Sequence, residues 1–339
     1  MADHTPHHRH QASLESVIAF SIEPPLSVGE RAQAKRRFLY IVNHFEGASR
    51  AAAELAPAKG TTNRLLSVSP TSMPSEKSRD LYLRAFFRSA ALSVTGDNVD
   101  FSDKHLEEEV CSSLLSFADY LIDNFFLPLK ASTRKTPQPS SAHSSAFEYV
   151  QGGERQSVRT PELRGNKYGL EPEDDHRMKL TEETNWGKLE VAHILPHSLI
   201  RFTKDDKMSG FRASALTVLN MLDCDAVRLI EGSITDQPRN ALTFESEVRD
   251  HFNNFSIYFT PVEGAREANT YRIDSFLPLF LARGRYPVTR TLIEAQGNVI
   301  DAPVPRFLAI HRAIAHVLHL SVAGEYIDRI LQDIGGIEA

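Results

Sequence analysis

Cysteine is scarce in this chain, which contains only Cys111 and Cys224. Two cysteines exclude a framework of several disulfides and a four-cysteine zinc site, and they suit a reducing compartment. No run of roughly 18 apolar residues is present, so we expect no transmembrane helix. The first ten residues are polar and contain no apolar signal-peptide core. We therefore expect a protein that is not secreted and that resides in the nucleus or the cytoplasm.

An excess of positive charge is also lacking. The formal net charge of the 339 residues is −6, which gives no general attraction to nucleic acid or to an anionic membrane. From Trp186 to Thr260 the chain has eight Lys and Arg residues against ten Asp and Glu residues. Any nucleic-acid contact in this stretch must therefore come from a local basic cluster, and we expect no membrane partner.

Composition divides the chain into segments. Residues 1–11 are predicted to be a disordered tail, 12–130 a helical region and 131–150 a Ser/Pro-rich linker. Two further regions are expected, at 151–260 and 261–339. Once Met1 is removed, the tail would begin with Ala-Asp-His, a sequence that can bind copper or nickel through backbone nitrogens. An incidental polar tail is the alternative.

Helical periodicity marks both ends of the chain. The stretch 46–75, rich in Ala, Ser, Thr and Pro, is predicted to be mostly loop. Helices are predicted from Glu76 to Leu92 and from Ser102 to Pro128, where proline should end the second one. "FSIYFT" and "TYRID" alternate as strands do, and "VPRFLAIHRAIAHVLHL" and "AGEYIDRILQDI" predict two C-terminal helices.

Three ordered stretches carry the signal for chemistry: "LEVAHILPHS", "DQPRNALTF" and "ESEVRDHFNNFSIYF". Together they resemble the HNH nuclease family, in particular fungal proteins that carry an HNH domain within a longer chain. The resemblance covers about residues 150–335. It implies an α+β protein with a helical N-terminal region, a ββα-metal core at 151–260, and a β-plus-helix C-terminal extension at 261–339 packed on that core.

The resemblance also implies a site. Phosphodiester hydrolysis needs an activated water molecule and a positive charge that stabilises the transition state. By resemblance, His193 at the end of the first strand is the general base, and Asn240 holds the loop that aims it. One divalent metal ion (Mg²⁺, Mn²⁺ or Zn²⁺) would supply the charge.

The sequence departs from the family pattern at the expected metal ligands. Ala192 precedes the histidine where many members carry Asp or His, and Arg249 stands where the helix normally supplies a histidine. Arginine is permanently charged and cannot ligate a metal. The remaining candidate ligands are Glu190, Asp250 and His251.

Two functions follow from this pattern. The first is metal-dependent hydrolysis of nucleic acid, most simply DNA, with contacts to the substrate from His197, Arg201, Lys204 and Arg249. The alternative is an inactive HNH-fold module that binds nucleic acid or protein. The N-terminal helices are a candidate surface for a protein partner in either case.

Overall fold

The computed structural model describes residues 24–52, 57–133, 189–196, 209–223, 238–266, 269–282, 286–292 and 302–337. Within these ranges helices predominate, and the strands form one two-stranded and one three-stranded antiparallel sheet. This confirms the predicted α+β class. The predicted tail at 1–11 and all but the first residues of the predicted linker at 131–150 lie outside the described residues.

The elements follow one another in a simple order. They are α1 (Val28–Ala52), α2 (Pro57–Ser72), α3 (Glu76–Ser89), α4 (Lys104–Leu121), a π-helical turn (Ile122–Phe126), α5 (Leu127–Thr133), β1 (Leu189–His193), α6 (Ser209–Leu222), a 3₁₀ turn (Pro238–Asn240), β2 (Ala241–Glu245), α7 (Ser246–Asn253), β3 (Ile257–Pro261), β4 (Thr270–Ser275), α8 (Leu279–Ala282), β5 (Val288–Thr291), α9 (Pro305–Leu320) and α10 (Ala323–Ile337).

The chain divides into two compact units. The first comprises residues 1–132, 198–229 and 313–339, and the second comprises residues 133–197 and 230–312. Each unit is therefore assembled from separate stretches of the chain. The predicted linear boundaries at 12–130, 151–260 and 261–339 stay a prediction.

The first unit is built on helices that share a buried aromatic cluster. Phe38 of α1 packs edge-on against Phe86 of α3, with ring centroids 4.7 Å apart, and Tyr82 contacts Phe117 of α4 at 5.9 Å. All four side chains are at most 2% exposed. Aromatic rings at helical spacing in α1, α3 and α4 therefore form the core that the sequence pattern predicts.

Two expectations for this unit are wrong. The stretch 46–75 is largely helical, since α1 continues to Ala52 and α2 covers Pro57–Ser72. Leu65 and Leu66 are fully buried, and burial of this face outweighs weak local propensity. Pro128 does not end the helix, because the helical stretch continues from Lys104 to Thr133 and Pro128 lies two residues after the π-helical turn. In that turn the Leu127 amide donates to the Ile122 carbonyl, and such a π-bulge changes the hydrogen-bond ladder of the helix locally.

One helical stretch has the length and hydropathy of a membrane span. Lys104–Thr133 passes that test, and 56% of its most apolar window is buried inside the protein. The pair Pro305–Leu320 and Ala323–Ile334 passes only together and is bent by 81°. Core helices of globular proteins satisfy the same criterion, so the expected absence of a transmembrane helix stays a prediction.

The second unit contains both sheets and α7. Strand β1 pairs antiparallel with β2, and β3, β4 and β5 form the other sheet in that order. Phe252 of α7 and Phe244 of β2 both contact Phe259 of β3, with ring centroids 5.9 Å and 6.2 Å apart. The β1–β2–α7 arrangement is the ββα core that the family resemblance implies.

Candidate active site

His193 is the last residue of β1. The register pairs it with Ala241, the first residue of β2, and pairs Glu190 with Phe244. The His193 side chain is only 8% exposed. A short two-stranded ladder therefore fixes the backbone on which this imidazole is carried, as the sequence predicts for a residue that needs a rigid support.

Asn240 fastens the loop that follows His193. Its Nδ2 donates to the Leu195 carbonyl at 2.9 Å, and its Oδ1 accepts from the Leu195 amide at 2.9 Å. The Asn240 carbonyl also accepts from the Ile194 amide at 2.8 Å. Asn240 is 1% exposed, so these bonds satisfy polar groups that water cannot reach. The structure thus places Asn240 as the support of the loop after His193.

Glu190, Arg249 and Asp250 form a second group of side chains, which we name the ion-pair cluster. The Arg249 guanidinium contacts the Glu190 carboxylate, and it donates to the Asp250 carboxylate at 2.9 Å. Glu190 is 8% exposed, and the Arg249 and Asp250 side chains are 24% and 60% exposed. Two of the three predicted metal ligands, Glu190 and Asp250, therefore form ion pairs with an arginine of the same chain.

The ion-pair cluster does not fit a divalent metal ion. Arg249 is a fixed cation lying against both carboxylates, so an ion there would face a positive charge at close range. His251 is half-buried in the last turn of α7. Among the described residues, no three His, Cys, Asp or Glu side chains are grouped so as to hold a metal. The residues present thus support no metal-dependent step at this position.

The C-terminal end of α7 is closed by an unusual residue. The Ser256 amide donates to the His251 carbonyl at 2.8 Å, and Phe255 between them has a left-handed φ of 59°. Glycine normally takes this position because a side chain there costs about 1 kcal/mol or more. Phe255 is 1% exposed, so burial of its ring offsets that cost. The helix end is therefore fixed by packing.

His311 of α9 packs against this helix end, and the sequence analysis missed it. Its ring stacks on Phe252, with centroids 3.9 Å apart and planes 4° apart, and lies 4.7 Å from Phe255. Its Nε2 lies 3.1 Å from the Phe252 carbonyl oxygen. Because a carbonyl only accepts, Nε2 carries the hydrogen and Nδ1 carries the lone pair. Burial lowers the pKa of His311 to about 3.

His193 and His311 line one small cleft, which we name the histidine cleft. Asn253, Pro196 and Phe255 also line it, and it has room for little more than a water molecule. His311 is 1% exposed, and its Nδ1 has no hydrogen-bond partner among the described residues. The stretch "AIHRAIAH" predicts a helix but contains no motif that indicates a binding or catalytic role. Only the fold brings residue 311 beside residue 193.

The structure describes some of the predicted site residues and not others. It brings His193, Asn240, Glu190, Arg249 and Asp250 into one ββα core. The predicted substrate contacts His197, Arg201 and Lys204 lie outside the described residues. Their roles stay predictions, as do the catalytic roles of His193 and Asn240.

Comparisons with known proteins agree with this geometry. Residues 176–260, about a quarter of the chain, match the sequence model of the HNH endonuclease family. No curated protein and no solved structure matches. Members of the family usually use a divalent metal ion, and the family implies binding of nucleic acid and a nuclease function in general terms. Residues 176–260 are therefore similar to the HNH endonuclease family.

Proposed function

We propose that this HNH domain binds nucleic acid, with DNA as the simplest target, and does not perform metal-dependent cleavage. The observation that carries the proposal is the ion-pair cluster, in which Arg249 contacts Glu190 and Asp250. By the family resemblance, Arg249 occupies the position that normally supplies a metal-binding histidine, and an arginine cannot bind a metal ion. The carboxylates that remain are held by that cation.

The charges around Arg249 explain a loss of phosphodiester cleavage better than a loss of nucleic-acid binding. Without a metal ion, the site lacks the positive charge that would stabilise a pentacovalent transition state. Arg249 does not replace that charge, because two carboxylates already neutralise it. Binding needs only local cations, and the sequence after β1 offers Arg201 and Lys204.

Binding is tested on the full chain by fluorescence anisotropy with labelled duplex DNA in EDTA across a salt series. We expect binding without metal and an affinity that falls with salt. Replacing Arg201 and Lys204 with Ala should weaken binding, and the slope of log K against log salt should become shallower by about 1.8 for two lost phosphate contacts. Lys104→Ala, in the first unit, is the matched control. The same measurement is made with a labelled RNA, and absence of binding to both the DNA and the RNA would overturn the proposal.

A metal-dependent nuclease is the second candidate, and one observation favours it. Asn240 holds the loop after His193 through both polar groups of Leu195, which is the support that a general base requires. In that case the Glu190–Arg249 contact would have to open when substrate binds. Nicking of supercoiled plasmid separates the two candidates.

A further inference from the structure

We propose that the second unit carries a docking surface for an extended acidic peptide, formed by the exposed apolar residues of α8 and the outer edge of β5. We name it the α8–β5 surface, and it consists of Leu279, Phe280 and Leu281 together with β5 (Val288–Thr291). The peptide would add a strand to β5 and place an apolar side chain against α8. This surface shares no residue with the ion-pair cluster or the histidine cleft, and it does not rest on the proposed function.

The large apolar side chains of α8 are exposed to solvent. Leu279 is 90% exposed, Phe280 is 76% exposed and Leu281 is 45% exposed. Single exposed apolar residues are ordinary, but a monomeric protein rarely exposes several side by side unless they contact a partner. Of the four residues of α8, Ala282 alone is buried. The other three therefore add nothing to the core of the unit and are available to a partner.

The sheet topology places α8 beside the edge of β5. Strand β4 ends at Ser275, and Val288 of β5 pairs with Ile273 of β4. Helix α8 therefore lies in the connection between two adjacent antiparallel strands, at the end of the sheet where β4 ends and β5 begins. Strand β5 is the last in the order β3–β4–β5. The apolar residues and the sheet edge thus adjoin each other.

The outer edge of β5 has backbone groups that a further strand can bind. The Leu292 amide donates to the Asn269 carbonyl at 3.0 Å. Since inward and outward positions alternate along an antiparallel strand, Arg290 also bonds to β4, whereas Thr289 and Thr291 face outward. Arg290 Nη1 donates to the Thr289 carbonyl at 3.0 Å. Among the described residues the amides of Thr289 and Thr291 have no backbone partner, so these amides and the Thr291 carbonyl are the groups that a peptide would bind.

Charge indicates which kind of partner fits. The segment 275–292 contains Arg283, Arg285 and Arg290 and no Asp or Glu. The Arg290 side chain is exposed, and its hydrogen bond goes to a backbone carbonyl rather than to a carboxylate. A partner with carboxylates complements this charge, whereas a second copy of the surface would bring arginines against arginines. The backbone groups at the strand edge favour a peptide over a lipid surface, because only a peptide can continue a sheet.

The test uses the full chain and an array of labelled heptapeptides in which Glu alternates with Val, Ile, Leu or Phe. A second array has Lys in place of Glu. We expect the protein to bind members of the acidic array and no member of the basic array, and fluorescence anisotropy then gives the affinities. Absence of binding to every acidic peptide, or equal binding to both arrays, would overturn the proposal.

Two variants test the two halves of the surface separately. Phe280→Ser removes an exposed apolar anchor, and we expect binding of the acidic peptide to be about tenfold weaker. Thr289→Pro removes one outward-facing N–H and no bond to β4, a change that the outer side of an edge strand tolerates. We expect binding to be about fivefold weaker, as for one lost hydrogen bond. Thr289→Ala keeps the N–H and is the matched control, with the affinity of the wild type.

Wild-type affinity in Phe280→Ser or in folded Thr289→Pro would overturn the proposal. If circular dichroism shows that Thr289→Pro does not fold, N-methylation of the peptide replaces it as the test of sheet pairing. The methylated peptide cannot donate to the strand edge and should not bind, and unchanged binding would overturn the proposal.

Two further measurements address other occupants of the surface. Co-sedimentation with vesicles of phosphatidylserine and phosphatidylcholine tests a lipid surface, and analytical ultracentrifugation tests a second copy of the chain. We expect neither vesicle binding nor a dimer that disappears in Phe280→Ser. Either result would assign the exposed residues of α8 to lipid or to self-association and would overturn the proposal.

Discussion

The ion-pair cluster and the histidine cleft belong to the same unit, but a buried polar group has a charged partner in the first and a buried ring nitrogen lacks a hydrogen-bond partner in the second. In the cluster, the buried Glu190 carboxylate meets the Arg249 cation of its own chain. In the cleft, His311 Nδ1 has no hydrogen-bond partner among the described residues. The comparison shows that one buried carboxylate is neutralised by a residue close to it in the fold, whereas two imidazoles far apart in the sequence are brought to one cleft by a distant helix.

The largest expected loss of stability comes from replacing Asn240, which holds the loop that follows His193. Asn240→Ala removes two buried hydrogen bonds and leaves the Leu195 amide and carbonyl without their partners. We expect a loss of about 3 kcal/mol in the free energy of unfolding, since each buried unsatisfied group costs about 1–3 kcal/mol. Urea denaturation measures it. Asn254→Ala, at an exposed position, is the control, and equal losses in both variants would contradict the role given to Asn240.

The next effect tests the cluster. Arg249→Ala leaves the Glu190 carboxylate, which is 8% exposed, without its cation. We expect a loss of about 2 kcal/mol, less than for a fully buried pair because the Arg249 side chain is 24% exposed. The double variant with Glu190→Ala should lose less than the sum of the two single losses. Additive losses in the denaturation experiment would show that the pair is not coupled.

Low pH should reduce the stability of the second unit, because His311 in the histidine cleft is buried in its neutral form. The pKa of His311 is about 3 in the folded protein against 6.5 for the ordinary group. Below about pH 6.5 the unfolded chain binds a proton that the folded chain does not. Stability is therefore full above pH 6.5 and falls by about 1.4 kcal/mol for each pH unit between pH 6.5 and pH 3.

His311→Phe should remove that one-proton contribution. Unfolding free energies measured from pH 7 to pH 4 should decline less steeply for the variant than for the wild type. Identical slopes would mean that His311 is not buried in the neutral form.

The smallest expected loss of stability comes from an exposed ion pair, which serves as a reference for the ion-pair cluster. Lys104 and Glu107 form an ion pair at 2.6 Å on one helix, but the Lys104 side chain is 78% exposed. Solvent screens such pairs, so Lys104→Ala should change stability by no more than about 0.5 kcal/mol. A loss as large as that of Arg249→Ala would remove the distinction between a screened surface pair and a partly buried one.

The sequence predicted the parts of this unit that follow local patterns. Alternating residues gave β3 and β4, and the motif around His193 and Asn240 gave the ββα core. It did not predict that Arg249 would contact Glu190, because that contact depends on how α7 lies against β1. His311 was missed for a similar reason: it lies 118 residues after His193, and no spacing rule connects the two positions. Contacts made by packing leave no local signature.

Nicking of supercoiled plasmid by the purified full chain tests the central claim most directly. Wild type, His193→Ala and Arg249→His would be compared with Mg²⁺, Mn²⁺, Zn²⁺ or EDTA. Our account predicts no metal-dependent nicking by the wild type, because Arg249 holds the carboxylates that would bind the ion. Metal-dependent nicking by the wild type that disappears in His193→Ala would contradict the account and establish a working nuclease.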